Sequence, residues 1–151
     1  MITVLAIGNK HESWLLEGVE RYSKRLQEPW KIQWVLLPHS AREGLSARQD
    51  ESERILDKLT HLDYVVLLDE RGKEFDSPAL SSALQAVLPS GRRVVCIIGG
   101  AYGVDDELMA RADLVWSLSP LVFPHQLVRL ILVEQLYRAH TILASEKYHH
   151  A

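Results

Sequence analysis

Two stretches of the chain concentrate residues able to bind or transform a ligand. The first is Gly99-Gly100-Ala101-Tyr102-Gly103, followed at once by the carboxylates Asp105, Asp106 and Glu107. Glycines in such a run let a ligand approach the backbone, and free N–H groups there can meet an anion. The same run is equally a tight turn that needs positive φ. It is not a dinucleotide fingerprint, because the pattern is GGxxG rather than GxGxxG and no ribose-binding acid follows at the right distance. The carboxylates after it would repel a phosphate and favour a neutral or cationic ligand. The second stretch, residues 114–151, carries three basic and two acidic side chains with four of the seven histidines. It is the part of the chain where an anion is best tolerated.

Other chemistries find little support. His149 and His150 are adjacent near the terminus and His125 shares a face with Arg129, but no histidine or acid spacing suits a metal, so a metal-free protein is expected. No GxSxG supports a serine hydrolase. The single cysteine, Cys96, lies in an apolar run with no partner for a disulfide, which points to a reducing compartment.

The elements that must position these residues follow from periodicity. Continuous aliphatic runs at Ile2–Gly8, Ile32–Leu37, Tyr64–Leu68, Val94–Ile98 and Leu114–Leu118 predict five strands. Asn9 with Glu12 resembles a capping box for a helix carrying Leu15, Val19, Tyr22 and Leu26 and closed by Pro29. Ser46 is expected to cap a mostly solvated helix through Leu59. Asp69-Glu70-Arg71-Gly72-Lys73 interrupts the third strand. Ser77-Pro78 supplies a cap and a first-turn proline for a helix to Leu88. A final helix spans His125 to Ala144, and its apolar residues wrap more than half its surface. Either a second copy of the chain covers that excess or the helix is central in the monomer; Arg129, Glu134, Arg138 and His140 exclude a membrane span.

Alternation of strands and helices implies an α/β domain over residues 1–151, with a parallel sheet covered on both faces. The loops at 68–72, 99–103 and 118–124 all leave carboxyl ends of strands, where such sheets bind ligands. With 17 basic and 20 acidic residues, net charge −3, the overall field gives no attraction for a polyanion, so any nucleic-acid site must be local.

Ile98-Gly99-Gly100-Ala101-Tyr102-Gly103, then Leu118 to Arg129, then Glu134-Gln135-Leu136-Tyr137-Arg138-Ala139 and Tyr148-His149-His150, closely resemble the ribosomal RNA large subunit methyltransferase H family, a branch of the knotted SPOUT methyltransferases. The resemblance covers nearly the whole chain. It implies an α/β-knot with a mainly parallel sheet of five or six strands and a C-terminal trefoil knot. It also implies a cytoplasmic homodimer that transfers a methyl group from S-adenosyl-methionine to N3 of a pseudouridine in 23S rRNA on assembled ribosomes. Carried over by position, Leu68, Gly99, Gly100, Leu118, Ser119, Pro120, Leu121, Val122, Phe123 and Pro124 would hold the cofactor. His125, Tyr148 and His149 would assist or orient the base together with Arg129. Arg129, Arg138 and Lys147 would meet RNA. Val122 stands where related sequences often have threonine, and His150 where they often have Lys or Arg. The same resemblance leaves room for a non-catalytic ribosome-associated factor, or for a related enzyme acting on tRNA.

Overall fold

The computed structural model describes residues 1–150. Its elements run β1 (Ile2–Ile7), α1 (Ser13–Ser23), β2 (Ile32–Leu37), α2 (Gly44–Leu56), β3 (Tyr64–Glu74), α3 (Ser77–Val87), β4 (Val94–Ile98), α4 (Asp106–Arg111), β5 (Leu114–Ser117) and α5 (His125–Leu143). All strands are parallel, in the order β2-β1-β4-β3-β5. The central strands are buried along their length, as continuous Val/Ile/Leu runs require when both faces are covered.

Side chains alternate between the two faces. Val4, Ala6, Val66, Cys96 and Trp116 pack with Leu80 and Leu84 of α3 and with Leu132, Leu136 and Tyr137 of α5. Leu5, Ile7, Val65, Leu67 and Ile97 pack with Ile55 of α2 and Leu108 of α4. A third cluster joins Leu15 and Val19 of α1 to Val133 of α5. Between α1 and α3, α5 has no fully exposed residue before Leu143, so much of its apolar surface is covered within one chain.

Local details depart from the periodicity. Asn9 caps nothing: the N-cap of α1 is Glu12, without a side-chain bond, and the helix ends at Ser23, well before Pro29. Ser46 lies inside α2, which starts after Glu43 and stops at Leu56. Its buried stripe is Ala47, Glu51, Ser52 and Ile55, too small and polar to register as apolar. The cap of α3 is Asp76, whose Oδ1 accepts from the Ala79 amide at 2.8 Å, one residue ahead of Ser77. Asp69 to Lys73 do not end β3. The strand continues to Glu74 through an irregularity between Leu68 and Lys73, both registered on Trp116. Gly72 makes this possible, since a Cβ there would collide with the Val115 carbonyl. Among the described residues no helix is long and apolar enough to cross a membrane, and no group of three His, Cys, Asp or Glu could hold a metal.

Candidate active site at the carboxyl edge of the sheet

The ends of β3, β4 and β5 open into one cavity of about 800 Å³. Its walls include Leu68, Gly99, Gly100, Leu118, Ser119, Leu121, Val122, Phe123, Pro124 and His125, so apart from Pro120 every residue assigned to the cofactor lines it. Ile98, Trp116 and Val128 supply further apolar surface. The volume suits a ligand of several hundred daltons. The 119–124 loop is irregular but tethered: Ser117 Oγ donates to the Ser119 carbonyl at 2.9 Å, and the Leu121 amide donates to Ser119 Oγ at 3.0 Å. Leu121 and Val122 nevertheless leave 68% and 78% of their surface exposed. Such apolar exposure at a cavity mouth is expected where a ligand or partner covers it.

The glycines divide their work. Gly103, at φ +77°, makes the turn and has open space where a Cβ would stand. A Cβ at Gly100 would lie 2.5 Å from Glu51 Oε1 and 3.2 Å from Ile7 Cγ2, so packing as well as the cavity favours glycine there. An arginine at that position would therefore disturb packing as well as the cavity.

Asp69, Arg71 and Arg48 also line the cavity and had no assigned role. Arg71 grips Asp69 through Nε and Nη2 at 2.9 and 3.0 Å, and its amide donates to Oδ1 at 2.9 Å. Burial alone would raise the Asp69 carboxyl, but the Arg71 bonds outweigh it and its pKa lies below the ordinary value. Arg48 Nε donates to the Tyr102 carbonyl at 2.7 Å, tying α2 to the glycine turn. Asp69 and Glu70 balance Arg71 and Arg48 at the wall, so a cationic ligand group meets no excess of positive charge, and the apolar walls suit a planar ring. The donor set therefore fits a sulfonium nucleoside.

The residues expected to do chemistry do not converge in one chain. His125 stands on the cavity wall, half-buried, and its pKa is lowered first by burial and then by His39 and Arg129. Arg129 is fully buried. Its guanidinium donates to the carbonyls of Ile7 (3.0 Å), Gly8 (3.0 Å) and Lys10 (2.9 Å), and lies 3.2 Å from His11 Nδ1. The RNA contact expected of Arg129 is not what its geometry offers: Nη1 and Nη2 are bound to the chain leaving β1, and the side chain, with an unpartnered Nε, is out of reach of solvent. Tyr148 and His149 gather elsewhere. Arg138 holds Glu134 Oε1 through Nε and Nη2 at 2.9 and 2.6 Å, Tyr148 donates to the same oxygen at 3.2 Å, and His149 Nδ1 is 3.2 Å from Arg138. Arg138 also stacks over the Tyr148 ring at 4.7 Å. Burial, followed by Tyr22 and the Glu134 charge, pushes the Tyr148 hydroxyl up. His149 borders a second cavity of about 590 Å³ that shares Trp116, Leu118 and Phe123 with the first. Lys147 is exposed.

A parallel sheet whose strand-end loops enclose a nucleoside-sized cavity, walled by a glycine turn and an irregular apolar loop, defines an α/β protein with a ligand site at its sheet edge. The family described as "Predicted SPOUT methyltransferase" matches residues 1–149. The chain is 43% identical over 148 residues to the ribosomal RNA large subunit methyltransferase H of Desulfotalea psychrophila, covering 97% of each. It is 40% identical over 153 residues to that of Alkalilimnicola ehrlichii, covering 99% of each. The chain thus belongs to the ribosomal RNA large subunit methyltransferase H family of SPOUT methyltransferases. A solved SpoU methyltransferase, AviRb from Streptomyces viridochromogenes in complex with AdoMet, aligns with 91% of this chain and 57% of its own at a TM-score of 0.46 and 12% identity.

Proposed function

We propose that this protein methylates N3 of a pseudouridine in 23S rRNA, using S-adenosyl-methionine, as a cytoplasmic homodimer acting on the large subunit of the ribosome. The observation that carries the reading is the cavity itself: the positions matched to the family's cofactor contacts come together from separate strand ends around one nucleoside-sized space. When bound, the cofactor supplies an electrophilic methyl group on a positively charged sulfur. The chain's own residues contribute placement and exclusion of water. Leu68, Gly99, Gly100 and the 118–124 segment hold the cofactor, and Asp69 keeps a negative charge at the cavity wall. His125 borders the reacting space and orients the target base, whose imide N–H must lose its proton for attack.

Tyr148, His149 and Arg138 serve that reaction from the tail cluster. In the dimer, the tail of one subunit approaches the cavity of the other, completing a site whose reacting groups a single chain leaves in two adjoining cavities. The interaction of Arg138 and Lys147 with RNA phosphates is local, consistent with the protein's net negative charge. The expected threading of the C-terminal segment through a trefoil is part of the same reading.

The test is mass spectrometry of ribosomal and transfer RNA from a deletion strain, paired with calorimetric titration of the protein with S-adenosyl-methionine. Loss of one methyl group from 23S rRNA together with measurable cofactor binding is the expected result. A missing methyl group on tRNA, or no cofactor binding, overturns the assignment.

A further inference from the structure

Glu51 is the least explained charged group in the molecule. Its side chain is 4% exposed. Oε2 accepts from the Ser40 amide at 2.9 Å, while Oε1 is buried with no hydrogen-bond partner and lies against Gly100. A buried carboxylate with an unsatisfied oxygen costs desolvation energy, and nothing in the packing of α2 demands one. What it faces is His39, whose Nδ1 is 3.8 Å from Oε2. The His39 ring stands edge-on to His125 at 5.9 Å between centroids, and His125 forms part of the cavity wall. Arg54 fixes the backbone beneath this arrangement by donating to the carbonyls of Pro38 and His39 at 2.8 and 3.1 Å. A carboxylate, an imidazole and a second imidazole therefore neighbour one another in succession, ending at the cavity wall.

We propose that Glu51 and His39 are positioning residues for His125: the carboxylate holds the His39 ring, and that ring fixes the orientation and protonation of His125 where it meets the reacting base. The inference rests on the reading of His125 given above. Carboxylate–histidine pairs commonly set the tautomer and orientation of the group they support. The charged groups acting on His125 are His39 from the loop before α2, Glu51 from α2, Glu12 from the residue before α1, and Arg129 from its own helix. His39 and Arg129 disfavour its protonation, and Glu12 and Glu51 favour it. Removing His39 should accordingly raise the protonation midpoint of His125, and neutralising Glu51 should lower it.

The experiment is an NMR titration of the His125 ring in the full chain, assigned with His125→Asn, for wild type, His39→Ala and Glu51→Gln. The expected result is a midpoint displaced upward in the first variant and downward in the second. The acidic limb of the methyl-transfer pH profile, measured on ribosomes lacking the modification, should move by the same amount. His39 is half-exposed, so His39→Ala tests the proposal even if Glu51→Gln does not fold. A His125 midpoint unchanged in His39→Ala overturns it. Wild-type methyl transfer by His125→Ala would instead overturn the placement of His125 in the reaction, which separates the two failures.

Discussion

The two ends of α5 are built from similar residues and held in opposite ways. At its start, Gln126 and Arg129 bind main chain: Glu12 N donates to Gln126 Oε1 at 3.0 Å, and Arg129 reaches the carbonyls of Ile7, Gly8 and Lys10. At its far end, Glu134, Arg138, Tyr148 and His149 bind one another, side chain to side chain. Backbone acceptors cannot leave without moving a strand, so the first end is architecture. The second is an exchangeable network whose members can transfer their bonds to a phosphate or a partner. An arginine's place on a helix therefore says little about its role until its acceptors are known.

The largest expected effect tests that contrast directly. Arg129→Met should strand two buried carbonyls and a partly buried one and cost about 4 kcal/mol of stability, whereas Arg138→Met should cost less than about 1 kcal/mol yet reduce rRNA methylation at least tenfold. Urea denaturation and methyl incorporation measure the two, and equal stability losses would erase the distinction. Next, Gly100→Ala should cost about 2 kcal/mol through overpacking against Glu51, and Glu51→Ala in the same chain should recover most of it. A loss that persists in the double variant would place the strain elsewhere. The smallest effect is a pH dependence confined to the architectural end. The pKa values of His11 and His125 are both lowered, His11 first by burial and then by Arg129. The unfolded chain therefore binds more protons below the ordinary value of 6.5. Stability is fully present above that pH and is lost as pH falls from it through the folded values. Thermal melts between pH 8 and 5 measure the decline, and its persistence in His11→Asn with His125→Asn would refute the assignment.

Much of the fold is legible because aliphatic runs such as Val94–Ile98 can only be central strands. The cavity is legible because its loops sit where parallel strands end. The helix starts are less so. Asn9 and Ser46 have capping chemistry, yet the chain turns into α1 after Glu12 and into α2 after Glu43, since tertiary packing decides where each helix begins. The continuation of β3 past Asp69 is hidden because residues 69–72 have turn composition, and only the close pass of Gly72 over Val115 explains them. Glu51 and His39 escape notice for a simpler reason: a charged residue on a polar helix reads as solvated unless its neighbours across the sheet are known. Arg129 misleads in the same way.

The pairing of β1 with β4, Ile2 against Val94, has a consequence for how the molecule comes into being. During synthesis β1 cannot find one of its two neighbours until α1, β2, α2, β3 and α3 have been made, and Arg129 seals its exit later still. Pairings so remote along the chain make for slow acquisition of the native state. The ligand-binding edge, which needs the ends of β3, β4 and β5 together, is therefore among the last features to mature.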